Sequence, residues 1–151
     1  MTARTAPGAA PVARVSDLPP LERRVVLYSR LWSEGRRGQA EVWRDLIDRH
    51  GPAEATRAAG HLDALLRELA VFGRRPMARH SPCCPCAGGD ECVLARFVSL
   101  AAEGAREDAI LMGTLMVRAD MSLMLARVAE DLGLSLMRGT GATPVIAATR
   151  H

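Results

Sequence analysis

Four cysteines and a histidine crowd one stretch of this chain, His80-Ser-Pro-Cys83-Cys84-Pro-Cys86-Ala-Gly-Gly-Asp90-Glu91-Cys92, and no other cysteine occurs in the 151 residues. Thiolates and a neutral imidazole are borderline-soft donors, so such a set suits a tetrahedral zinc ion. Three or four thiolates can also hold an iron–sulfur cluster. A thiol of lowered pKa beside a second thiol can carry out redox chemistry. Arg74, Arg75 and Arg79 precede the stretch, and their charge favours thiolate.

The spacing ranks these options. Cys83-x-x-Cys86 matches half of a zinc knuckle, but the other half is missing because five residues separate Cys86 from Cys92. The expected zinc ligands are His80, Cys86, Cys92 and one of Cys83 or Cys84, since adjacent residues rarely both turn toward one ion. Gly88-Gly89 would let the chain turn tightly enough to bring Cys92 back. Cys92 is expected in the first turn of a helix, where the dipole favours thiolate. An iron–sulfur cluster is the lesser metal option, because the spacing differs from the common ferredoxin runs. Thiol redox chemistry ranks third, with no readable βαβ unit to place a thioredoxin-like pair.

Other candidates weigh less. His50 and His61 lie on predicted helices, and surface or end-capping roles explain them more simply than metal binding. Met112, Met116, Met121 and Met124 could hold Cu(I), but their helical spacing fits core packing at least as well. The carboxylate pairs Glu107-Asp108 and Glu130-Asp131 lack the Glu-x-x-His partner of a di-iron bundle. No phosphate loop or nucleophile elbow is present.

Around these residues the sequence specifies helices. Hydrophobic residues make up 48 % and charged residues 25 %, ordinary for one globular domain, whereas aromatics are only 3 %. So few rings argue against sequence-tolerant binding of single strands by stacking. Net charge is +3, every basic residue is Arg, and the first 80 residues carry 14 Arg against 9 acidic groups. The absence of Lys reads as the codon bias of a GC-rich genome before it reads as phosphate recognition. No signal peptide or membrane span is apparent, and a cytoplasmic location, where thiols stay reduced, is expected.

Residues 1–16 read as a flexible tail, 17–138 as a single helical domain and 139–151 as a second tail. Leu21, Val25, Tyr28 and Leu31/Trp32 mark a first helix ending at Gly35, with Asp17 a possible cap. Val42, Trp43, Leu46 and Ile47 mark a second, closed by Gly51-Pro52. Ala58, Leu62, Leu65, Leu66, Leu69 and Phe72 form the stripe of a third. Asp90 reads as the cap of a fourth helix, which Gly104 ends. Ile110–Val117 is apolar nearly all round and predicts an enclosed helix, with a break near Arg118–Asp120 before a sixth capped by Asp120. No strand pattern is visible. The expectation is all-α: an antiparallel helical bundle of about five or six helices, with an ordered Cys-rich loop between helices 3 and 4.

Functionally, these features point to a small bacterial accessory, interaction or regulatory module, more readily non-enzymatic than catalytic. Its loop would be held by zinc, and it would bind a protein partner or a second copy. The alternatives are a thiol or iron–sulfur redox or metal-handling protein and, behind it, a weak nucleic-acid binder through Arg74, Arg75 and Arg79.

Overall fold

The structure, a computed structural model, describes the backbone of residues 6–148 and the side chains of residues 6–138. The fold is helical. Five helices follow a short strand in the order β1 (Pro11–Arg14), α1 (Pro20–Ser33), α2 (Arg36–Phe72), β2 (Cys86–Gly88), α3 (Gly89–Ala102), α4 (Arg106–Gly113) and α5 (Ala119–Ala148). No helix among the described residues is long and apolar enough to cross a membrane.

Local chemistry sets the helix boundaries. Pro19 caps α1 in extended conformation and Pro20 takes the first turn, where a missing N–H costs nothing. Asp17 is not the cap; it lies in a one-turn 3₁₀ segment, Val15–Asp17. Gly35 follows α1 at φ 92°, in the left-handed region that glycine enters without steric penalty. The second and third expected helices are the two arms of α2, kinked at Gly51 (φ 78°) before Pro52. Proline disfavours helical geometry in the residue before it, and glycine tolerates the alternative.

The stripes pack largely as the spacing predicts. Val25, Val26 and Tyr28 of α1, Val42 and Leu46 of the first arm of α2, and Leu62, Leu65, Leu66 and Leu69 of the second are buried. Leu94, Phe97 and Val98 of α3 join Leu125, Leu132 and Leu136 of α5 in the same core. Helix α5 packs against α2 and α3, and α1 packs against the same two helices. Burying each such side chain is worth about 1.5–3 kcal/mol.

Four expectations fail. First, residues 6–16 carry structure: β1 pairs antiparallel with β2, Ala13 opposite Ala87 and Arg14 opposite Cys86. Two strands of three and four residues are too short to leave a periodic signal. Residues 1–5 lie outside the described residues. Second, the helix after Arg118–Asp120 does not end before the expected second tail; α5 continues to Ala148, through most of residues 139–151, and residues 149–151 lie outside the description. Glu130 and Asp131 are therefore inside a helix. Third, Ile110–Val117 is not an enclosed helix. Helix α4 ends at Gly113, and Leu111 and Leu115 are 67 % and 64 % exposed. Only Ala109, Gly113 and Val117 face fully inward, because a short helix lying across α3 and α5 has one covered side. Fourth, as at Asp17, the acidic caps expected at Asp90 and Asp120 do not form. Asp120 lies within the first turn of α5 and pairs with Arg118 at 2.9 Å. Gly88, not Asp90, precedes α3.

Candidate functional site

The cysteine loop closes over a buried ion pair. Arg30 comes from the core side of α1 and Glu91 from the first turn of α3, and both side chains are fully buried. Arg30 donates from Nε to Glu91 Oε1 at 2.6 Å and from Nη2 to Oε2 at 2.9 Å. Its remaining donors reach the loop: Nη1 to the Cys84 carbonyl at 2.8 Å and Nη2 to the Cys86 carbonyl at 2.6 Å. Glu91 in turn accepts from the backbone N–H of His80 at 3.1 Å and of Gly88 at 2.9 Å. Residues 80, 84, 86 and 88 are thus fastened to one pair. Burial would raise the Glu91 carboxyl, but the bonds from Arg30, Gly88 and His80 outweigh it and hold the group below its usual range.

Asp90 fastens the other side of the loop. It accepts two bonds from Arg75, at 2.7 and 2.8 Å, and one from the Ala78 N–H at 2.8 Å. Arg75 also donates to the Pro7 carbonyl at 2.9 Å, so the N-terminal segment is tied to the same strap. Gly88 is extended (φ −81°), not left-handed. Its small size matters instead, because a Cβ there would lie 3.0 Å from the Gly8 carbonyl oxygen and 3.1 Å from His80 Nε2.

The His80 ring sits between two partners. Nε2 lies 2.6 Å from the Ala9 carbonyl, and Nδ1 lies 3.2 Å from Cys84 Sγ. A carbonyl only accepts, so Nε2 carries a proton. Nδ1 then either accepts from the Cys84 thiol or, protonated, donates to its thiolate. The His80 bond, followed by the backbone N–H of Cys86, lowers the Cys84 pKa. The bonds to Cys84 and Ala9 raise that of His80. Each group thus shifts the other toward its charged form. A backbone carbonyl thus fixes the ring, and the ring faces the Cys84 sulfur.

The other cysteines differ in setting. Cys83 is exposed and Cys86 is half-buried in β2. Cys92 packs against the core in the first turn of α3. Burial, then the charge of Glu91, pushes its thiol up, against the thiolate expected from the helix dipole. Among the described residues no three of His, Cys, Asp or Glu come together as a metal-holding group. Of the expected set His80, Cys83, Cys84, Cys86 and Cys92, His80 and Cys84 make a side-chain contact. Three methionines of the expected Cu(I) run, Met112, Met116 and Met121, pack against the core.

Two groups escaped sequence reasoning. Arg30 and Glu91 were legible only in that Arg30 follows Val26 by four residues and so shares its buried face. The second is a polar cluster at the seam of α1, α2 and α5. Tyr28 donates to Asp45, and Arg24 donates to the Tyr28 hydroxyl at 3.0 Å and to the Leu136 carbonyl at 3.0 Å. Burial, then the bond to Asp45, pushes the Tyr28 phenol up to about 12. His50, expected at a helix end, sits 2.8 Å from Arg24, and burial followed by that charge lowers its pKa.

No family model matches the chain, and no curated protein or solved structure does so either.

Proposed function

We propose that this protein is a small helical thiol module in which Cys84 is the nucleophile of thiol–disulfide exchange. The observation that carries this reading is the His80 ring, fixed on Ala9 and set 3.2 Å from Cys84 Sγ. In the first step the Cys84 thiolate attacks a sulfur of a substrate disulfide. A mixed disulfide forms and the substrate's other sulfur leaves as thiolate, which the His80 imidazolium can protonate. Cys83 or Cys86 then attacks Cys84 Sγ, forms an internal disulfide and releases the second substrate thiol. The substrate is reduced by two electrons and the loop is oxidised by two; a small thiol reductant restores it. The protein partner expected from the sequence would carry the disulfide. Short connections at Gly35 and Gly104 support an antiparallel bundle as the scaffold.

The test is iodoacetamide labelling of the reduced protein, mapped by mass spectrometry across pH. Cys84 should be modified first, with a midpoint below the value of about 8.5 for a free thiol. His80→Gln should move that midpoint up. Cys92 should be the slowest of the four. Equal labelling of all four cysteines with an ordinary midpoint would sink this reading.

A zinc-held loop is the second reading, and the closeness of His80 and Cys84 favours it, since two zinc donors already share one face of the loop. Completing a tetrahedron requires two further donors to swing in from among Cys83, Cys86 and Cys92. Metal analysis of anaerobically purified protein separates the two: one zinc per chain, with Cys84 shielded from alkylation until chelation, favours the clasp.

A further inference from the structure

We propose that the cleft between the end of α2 and the 73–79 strap is a binding site for an anionic amphiphile, a carboxylate on an aliphatic chain. The inference is independent of the thiol chemistry. Two adjoining cavities of about 200 and about 400 Å³ meet there and share Leu69, Gly73, Arg74, Arg75 and Met77. The larger falls within the ~300–1,000 Å³ usual for small-molecule sites. Leu69 and Met77 form a common apolar floor, which Leu115 and Met116 extend on one side.

Charge selects the ligand's head. Arg79 lines the larger cavity, and its Nε is buried without a hydrogen-bond partner among the described residues. Burial lowers the pKa of this guanidinium against the nearby charges of Glu91 and Asp90. Both carboxylates are already committed, Glu91 to Arg30 and Asp90 to Arg75. Three guanidiniums thus share two carboxylates, and Arg79 is the surplus. Arg74 stands at the rim, spending its Nε on the Thr114 carbonyl at 2.9 Å. A half-desolvated cation with no carboxylate of its own calls for an anionic ligand. The apolar floor calls for a ligand with a tail rather than a bare ion. Nucleic acid would engage the arginines but leave Leu69, Met77 and Met116 without a role.

Isothermal titration with decanoate, with decan-1-ol and acetate as probes lacking the head charge or the tail, tests the site. Decanoate should bind saturably, and each control at least about tenfold more weakly. Arg79→Gln should weaken decanoate about tenfold, the scale of one charge-assisted hydrogen bond. Should that variant fail to fold, Arg74→Gln decides by the same comparison, with a smaller loss expected. Equal binding of decanoate and acetate, binding indifferent to both substitutions, or no saturable binding overturns the proposal. So does an Arg79-dependent complex with a single-stranded oligonucleotide in the absence of decanoate binding, which would assign the arginines to nucleic acid.

Discussion

Glu91 and Arg30 bear more of this structure than any cysteine does. Taking two charges out of water costs several kcal/mol per ion, and only full pairing with good geometry offsets it. Here every oxygen of Glu91 and four contacts of Arg30 are used, two of them on the carbonyls of Cys84 and Cys86. Glu91→Gln leaves Arg30 buried without a counter-charge and should cost about 3–5 kcal/mol in urea unfolding. The sign with pH follows from the lowered carboxyl. Its contribution is present above the unfolded value of about 4.3 and is lost as pH falls through the lower folded value. The variant should therefore lose part of the acid-induced drop in stability that the natural protein shows. Replacing both partners by apolar residues should not restore the loop, because four backbone groups would lose their partners. The sequence displayed the cysteines but not this pair, since 61 residues separate Arg30 from Glu91. No local pattern links them.

At the scale of elements, glycine and proline punctuation was readable. Gly35, Gly51 and Gly104 all adopt positive φ where helices end or kink. Apolar composition was a poorer guide at Ile110–Val117, because a run without polar residues does not say how many neighbours will cover it. Other glycines serve close approach and leave no local signature. A Cβ on Gly133 of α5 would sit 2.6 Å from that of Ala102 and 3.1 Å from the Val98 carbonyl oxygen of α3. Gly133→Val should force these helices apart and cost about 1–3 kcal/mol, read as a lower Tm with the rate of Cys84 alkylation unchanged. An unchanged Tm would mean that α3 and α5 do not meet there.

For the whole molecule, the N-terminal segment completes the site from outside the helices. Gly8, at φ 81°, leaves room for the Asp90 carboxylate; Ala9 accepts from His80; and Val15 donates to the Pro85 carbonyl at 2.9 Å. Removing residues 1–10 should leave the helical core folded by circular dichroism, yet raise the pH midpoint of Cys84 alkylation toward that of a free thiol. Unaltered Cys84 reactivity after truncation would deny Ala9 its orienting role. The sequence by itself determined the helical class, the main stripes of the core and the place where distinctive chemistry gathers, because periodicity, turn residues and clustered thiols are local properties of a chain. Only the tertiary structure decided which groups meet there. It paired His80 with Cys84, turned Cys92 toward the core and brought a carbonyl and an arginine from distant segments to hold the loop. Such contacts depend on where separate helices converge, and spacing along the chain does not encode that convergence.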